Sequence, residues 1–407
     1  MISLIPKKGD LTKLTNWRPV SLQCCDAKIL SKILANRLKL VMPDIVSKSQ
    51  VCSVPGRQIQ DHLLLVREAI AIARHKKRPL YIISLDQEKA FDRVDWDFMF
   101  AALARLGVPA RFVDYVKTLY CAPKSSVCVN GEFTRQINVK RGVRQGCPLS
   151  MLLYALVAES IGNAIEADTQ IRGTRAPGGW GEHKKIQFAD DMNALVEDAG
   201  SIYALFNLFQ RYEAGTGAKI CVHKTRGIAI NHRGDFPCRD IPILWNKVDT
   251  KILGVIFTED LENSAKLNWD RVCGAVAKRA TAMSYRTLSL RAKALLANTL
   301  ILSKAWHVGR IFLPSQSMEK KLDASVSQYV WRGERELISR NNMKLPPEKG
   351  GVNLLPIRVQ CVSLQIHDLL KIGNDAGPDW VPFSRYWLAD RLSRLREDWK
   401  KNYFCKQ

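Results

Sequence analysis

The stretch K-I-Q-F-A-D-D-M-N-A-L-V-E-D, residues 185–198, sets Asp190 and Asp191 side by side between two short runs that alternate apolar and polar residues. A period of two is the pattern of a half-buried strand, so the acid pair reads as part of a hairpin bend from Ala189 to Met192. Taken alone the pair is more readily a turn than a site, because aspartate is a common turn residue. A second acid shifts the balance. The run P-L-Y-I-I-S-L-D, residues 79–86, is nearly continuous in apolar residues and ends in Asp86, the form of a buried central strand. If that strand pairs beside the hairpin, three carboxylates meet at one end of a sheet. Bare, they repel; with divalent cations between them they form a site, because magnesium takes carboxylate oxygens together with substrate phosphates.

Outward from these runs, helical spacing covers Lys28 to Leu40, where Ile29, Leu30, Ile33, Leu34, Leu38 and Leu40 recur and Pro43 is expected to stop the pattern. Further helices are expected from about Gln60 to Ala73, Asp97 to Leu106, Ala110 to Tyr120, Ser150 to Glu166 and Ser201 to Gly215. A hairpin is expected around Asn130-Gly131, and short strands near Gly227 to Asn231 and Ile252 to Phe257. Past Asn263 the texture becomes helical to about Gly309, and again from Ser317 to Trp331. That change marks the first domain boundary.

Length and charge narrow the function. A chain of 407 residues with 46% hydrophobic residues has room for two or three domains and a sizeable core. Lysine and arginine number 62 against 39 acids, a formal charge of +23 that favours a polyanionic partner, nucleic acid above all. The eleven cysteines are scattered without a C-x-x-C, which suggests reduced, intracellular thiols rather than a zinc cluster or a disulfide framework. The start meets lysines too early for a secretory signal and no run approaches a membrane span, so no membrane partner is expected. R-H-K-K-R, residues 74–78, has the composition of a nuclear localisation patch, a pattern that basic proteins also produce by chance.

The motifs together resemble a known family. F-A-D-D, S-L-D-Q-E-K-A-F-D-R-V-D-W and R-Q-G-C-P-L-S resemble the palm motifs of reverse transcriptases of non-LTR (LINE-type) retrotransposons. L-I-P-K-K-G-D, N-W-R-P-V-S-L, K-I-L-S-K-I-L-A-N-R-L and S-K-S-Q-V-C-S-V-P-G-R-Q-I-Q-D-H look like that family's fingers region. The similarity runs from Ile5 to about Phe257 and extends more weakly through K-L-P-P-E-K-G-G-V-N-L-L-P-I-R, residues 344–358. It implies an α+β right-hand polymerase: fingers, a palm of antiparallel sheet flanked by helices, and a helical thumb. The expected limits are 1–262 for fingers and palm, 263–330 for the thumb and 331–407 for a basic C-terminal segment.

The resemblance also implies roles. Asp86, Asp190 and Asp191 match the metal-binding aspartates, which would hold two magnesium ions, or manganese in their place. Phe91 matches the bulky residue that excludes a ribonucleotide 2′-hydroxyl, with core packing as its plain alternative. Gln145 and Gly146 match the segment lining the nucleotide pocket and template, where glycine lets backbone approach closely. Arg57 falls where the fingers reach the triphosphate, a fork suited to phosphate. Lys224 matches the lysine that neutralises or protonates departing pyrophosphate; for both cations a solvated surface role is the alternative. K-I-L-G-V-I-F, residues 251–257, resembles the hairpin that grips the primer end. Met151 and Cys221 depart from the usual proline and asparagine of the family.

The implied activity is an RNA-directed DNA polymerase that extends a DNA or RNA primer with deoxynucleoside triphosphates on an RNA template. Lysines and arginines between Lys266 and Arg310 would hold duplex phosphates. No endonuclease domain precedes the fingers and no cysteine-histidine knuckle follows, so an endonuclease is expected from a missing portion or another protein. The expected place is intracellular: nuclear at the site of integration, cytoplasmic while bound to its RNA. The rivals are a catalytically inactive fragment that only binds nucleic acid, and another polymerase with the same palm.

Overall fold

The computed structural model describes residues 1–407 except 8, 179, 222–223, 233–237, 239, 242, 246–248, 375–376 and 405–407; the side chains of 180 and 395–404 also lie outside the described set. The chain divides into two compact units, Met1–Ile59 with Pro79–Thr174 and Glu182–Trp245, and Gln60–Arg78 with Arg175–Gly181 and Asn246–Gln407. The last of these limits falls at 245, and a helix from the middle of the expected fingers belongs with the C-terminal unit.

The first unit is built on a five-stranded sheet in the order Lys185–Phe188, Asp191–Val196, Leu80–Leu85, Arg226–Ile230, Leu244–Trp245. Leu80–Leu85 is its middle strand, antiparallel to both neighbours, as its unbroken apolar run implies. Tyr81, Ile83 and Leu85 pack with Met192, Ala194 and Val196 against Ile202, Leu205 and Phe209 of the helix Ala199–Thr216. That helix starts on the Asp198 carboxylate, which accepts from the Ser201 N–H, and ends at Gly217 with φ +69°. The apolar helix Ser150–Ala167 is buried along most of its length and carries Leu152, Leu153 and Leu156 into a second core with Met99, Leu103 and Val116. Val127–Val129 and Glu132–Phe133 form the hairpin expected at Asn130-Gly131, with φ of +52° and +90° at the two turn residues.

Pro43 does not stop its helix, which runs Cys25–Ile45. The proline stands in the last turn, so only one intrahelical donor is lost there. Leu34, Leu38 and Met42 are buried, whereas Ile29, Ile33 and Leu40 face outward.

In the second unit the helices Leu261–Met283 and Gln316–Trp331 enclose a core of Trp269, Val276, Ile301, Leu322 and Tyr329. The expected long helical stretch breaks into Leu261–Met283, Leu290–Leu296, a π-helical turn Ala297–Ile301 and Ser303–Gly309. Residues 250–257, a strand by pattern and a hairpin by resemblance, form a hairpin, Thr250–Ile252 against Val255–Phe257, with Leu253 and Gly254 at φ of +46° and +92°. The helix Ile59–Lys76 joins this unit through Arg67, which donates to the Ile311 carbonyl at 2.8 Å. At its start Asp61 accepts from Lys371 at 2.9 Å and from the Trp380 indole at 3.0 Å. Residues of the basic run 74–78 are engaged there as well: Arg74 pairs with Asp260 at 2.8 Å, and the His75 ring lies 5.1 Å from that of Trp387. Among the described residues no helix is long and apolar enough to cross a membrane.

Candidate active site

Register brings the acids together. Phe188 opposes Asp191 across the hairpin, and Met192 opposes Leu85 across the next pair, so Asp86 follows directly on the strand end beside Asp191. Ala189 makes the bend with φ +55°, a left-handed conformation that a non-glycine residue takes at some cost. Asp190 is half-buried. Burial holds its carboxyl above the usual range; the Asp86 charge adds to this, while its own backbone N–H and Arg18 pull the other way. The Tyr154 hydroxyl, fully buried nearby, is pushed well up by burial, with the Asp190 and Asp191 charges contributing.

Lys224 reaches this end of the sheet by backbone pairing. The Cys221 N–H donates to the Asp86 carbonyl at 2.7 Å, and the Glu88 N–H to that of Lys219 at 2.7 Å, which draws the segment after the helix Ala199–Thr216 alongside residues 86–88. The Lys224 Nζ then lies 3.0 Å from Asp86 Oδ2, with the two side chains 67% and 38% exposed. The hydrogen bond and the charge of Asp86 raise the lysine pKa.

A second group flanks Asp86. The Phe91 ring stacks on Tyr154 with centroids 4.5 Å apart and planes at 14°, and the Tyr154 hydroxyl donates at 2.9 Å to Gln87, the next residue after Asp86. The glycine-bounded loop is strapped to the same turn: the Val143 N–H donates to the Phe91 carbonyl at 2.8 Å and the Gly142 N–H to that of Val94 at 2.7 Å. Gln145 Nε2 donates to Asp92 at 3.3 Å. Its carbonyl accepts from the Ser21 N–H at 2.8 Å. Gly146, with φ +101°, lies so near that a Cβ there would sit 3.0 Å from the Ser21 oxygen.

Among the described residues no group of three His, Cys, Asp or Glu side chains is arranged to hold a metal ion as it stands. The donor set nevertheless fits a hard divalent cation. Three carboxylates offer oxygen ligands, and the half-buried Asp190 is disfavoured in its charged form by burial first and by the Asp86 charge as well, which a cation would offset.

A sequence profile described as reverse transcriptase (RNA-dependent DNA polymerase) matches residues 5–257, the span that contains every one of these groups. The chain belongs to the reverse transcriptase family. It is 32% identical over 390 residues to the transposon TX1 uncharacterized 149 kDa protein of Xenopus laevis, covering 93% of this chain and 29% of that protein. It is 32% identical over 199 residues to the retrovirus-related Pol polyprotein from type-1 retrotransposable element R2 of Popillia japonica, covering 48% of this chain and 27% of that protein. The chain therefore spans less than a third of either relative. These retrotransposon proteins agree with the non-LTR resemblance of the motifs. A telomerase from Candida tropicalis, in complex with a TWJ fragment of telomeric RNA, aligns at 13% identity with a TM-score of 0.47, over 95% of this chain and 63% of that chain.

Within this reverse transcriptase unit the expected residues separate. Asp86, Asp190, Asp191 and Lys224 share one end of the sheet; Gln145 bonds to Asp92, the residue after Phe91, and Gly146 lies against Ser21. Arg57 is placed otherwise: its guanidinium donates to the carbonyls of Ser47, of Gln50 at 2.7 Å, of Pro43 at 3.0 Å and of Val46 at 2.8 Å. The fork expected to meet triphosphate instead closes the C-terminal end of the helix Cys25–Ile45. Of the cations expected to line a duplex, Arg310 forms a fork with the buried Asp368, Arg279 donates to the Leu300 carbonyl and Lys293 to that of Val330. Four groups had no role in the sequence reading: Arg18, Asp92, Tyr154 and Gln50. Arg18 stands in a quoted fingers motif and Asp92 in the palm motif; Tyr154 sits in a helix whose apolar run conceals its hydroxyl.

Proposed function

We propose that this chain is an RNA-directed DNA polymerase of a non-LTR retroelement, extending a DNA or RNA primer with deoxynucleotides on an RNA template. The observation that carries the reading is the strand register that sets Asp86 beside Asp190 and Asp191 at one end of the sheet, where three antiparallel strands meet. Those three carboxylates would hold magnesium, with manganese as a substitute. Bound ions would lower the cost of ionising the primer hydroxyl and of the charge that develops on pyrophosphate.

The chain's own side chains do the positioning. Phe91, backed by Tyr154, forms the floor against which a 2′-hydroxyl would clash. Gly146 lets the backbone of the loop come close to a base or sugar, and Gln145 holds that loop to Asp92. Lys224, once its bond to Asp86 gives way to a cation, is free to bring positive charge or a proton to the leaving group. Exposed lysines and arginines of the second unit serve duplex phosphates without reading sequence. An endonuclease supplied elsewhere in a longer protein would provide the primer end, and the reading places the work in the nucleus at the target DNA.

Extension of a labelled DNA primer on an RNA template with deoxynucleotides and magnesium tests this, beside the Asp190→Ala/Asp191→Ala double variant. Product from the parent alone is expected. Retained duplex binding with no product from either chain would refute the enzyme and leave a nucleic-acid-binding protein.

A further inference from the structure

The bend that presents Asp190 and Asp191 is gripped from outside the hairpin. The segment 47–57 lies along the edge strand: the Gln187 N–H donates to the Ser49 carbonyl at 2.7 Å, and the Val51 N–H to the Gln187 carbonyl at 3.1 Å. Between these rungs the Gln50 side chain turns inward and is fully buried. Its Oε1 accepts from the Ala189 N–H at 3.2 Å and from the Cys52 N–H at 2.9 Å. On the other side Gln187 Nε2 faces the Ala189 and Ala158 carbonyls at 3.4 Å. Both polar groups of the left-handed Ala189 are thus met by carboxamides. Gln50 Nε2 and Gln187 Oε1 have no hydrogen-bond partner among the described residues, an arrangement that costs stability when buried. A core built for stability alone has no use for two half-satisfied carboxamides at one residue.

We infer that Gln50 is a positioning residue for the carboxylate pair and that the segment 47–57 is a clamp on the bend. Arg57 locks the clamp, since its guanidinium holds the carbonyls of Ser47 and Gln50 on either side of the inserted side chain. The inference rests on the reading of Asp190 and Asp191 as metal-holding residues. It assigns Gln50 no contact with substrate or ion. Its work is to keep Ala189 at φ +55°, and through it the direction of the next two side chains.

The test compares the full chain with Gln50→Met, which removes both polar atoms, and Gln50→Glu, which keeps an accepting oxygen. Hydrogen exchange of a peptide covering 185–196, manganese binding followed by electron paramagnetic resonance, and primer extension against magnesium concentration are read together. Gln50→Met is expected to exchange about tenfold faster in that peptide alone, to bind manganese several-fold more weakly, and to lose about ten- to a hundredfold in kcat with little change in deoxynucleotide KM. Gln50→Glu is expected to recover exchange protection. A folded Gln50→Met chain with the parent's exchange and manganese affinity overturns the inference. If Gln50→Met does not fold, Gln50→Glu decides it: loss of protection over 185–196 in that folded variant overturns the clamp. The two readings fail separately, because a parent that extends no primer refutes the polymerase while the exchange difference still reports on the clamp.

Discussion

Lys224 donates to Asp86 at 3.0 Å, so the cation and the carboxylate at the end of the middle strand neutralise each other before any substrate arrives. Both side chains are well exposed, and such a pair adds little to stability. Lys224→Met is accordingly expected to melt within about a degree of the parent, as a pair worth well under 1 kcal/mol implies. Single-turnover extension should slow by about ten- to a hundredfold, the usual share of a positioned proton donor. An unchanged rate would leave Lys224 as a surface lysine.

Asp190 carries charge at a cost. Its raised pKa means that the folded chain keeps this proton to a higher pH than the unfolded chain, so stability rises as pH falls from neutral through that raised value toward the ordinary 3.8. At pH 7 the ionised group opposes folding. Asp190→Asn is expected to melt higher than the parent at pH 7, with the gain shrinking toward pH 4, while extension falls by on the order of a thousandfold. A melting curve for this variant that does not exceed the parent's at pH 7 would contradict the electrostatic account.

Phe91 is half-buried and stacked on Tyr154. Phe91→Ala should cost about 2 kcal/mol of stability, less than a fully buried phenylalanine. Its discrimination against ribonucleotides should drop by at least about tenfold, as expected when a packed contact is removed from a pocket. Incorporation ratios measured with matched deoxy- and ribonucleoside triphosphates read this directly, and equal discrimination in both chains would reduce Phe91 to core packing.

Arg57 offers a clean choice between two roles. Removing a guanidinium that serves four carbonyls should cost about 3 kcal/mol, because each was bonded to a charged donor. Urea denaturation of Arg57→Ala would report that loss. If capping and clamping are its work, deoxynucleotide KM stays within about twofold in the folded variant; a large rise in KM with unchanged stability would return Arg57 to the triphosphate.

The strands that carry the acids were legible because periodicity is local and repetitive, two alternating runs around 190–191 and one apolar run ending at 86; that they pair came from the motif resemblance, because register across a hundred residues is not local. Phe91, Gln145 and Gly146 came from motif resemblance; the bonds of Val143 to Phe91 and of Gln145 to Asp92 span about fifty residues and no local pattern announces them. The bonds of Arg57 to backbone carbonyls were not legible, because no side-chain pattern announces such partners. Gln50 escaped notice for the same reason, its two donors being the N–H groups of Ala189 and Cys52. Pro43 misled because a proline in a last turn forfeits one bond and not a helix. The 59–76 helix was placed with the fingers by position in the chain, whereas its partners lie hundreds of residues further on.

That last separation has a consequence for synthesis. Leu63, Leu65, Val66, Ala69 and Ile70 are buried to within 1% of exposure, yet Arg67 meets Ile311 across 244 residues and Asp61 meets Trp380 across 319. At a ribosome adding about 5–20 residues each second, the last of those partners emerges roughly 15–60 s after the helix does. For most of that interval Arg67 and Asp61 have neither of these partners. The helix therefore lacks these two anchors until nearly the whole chain has been made.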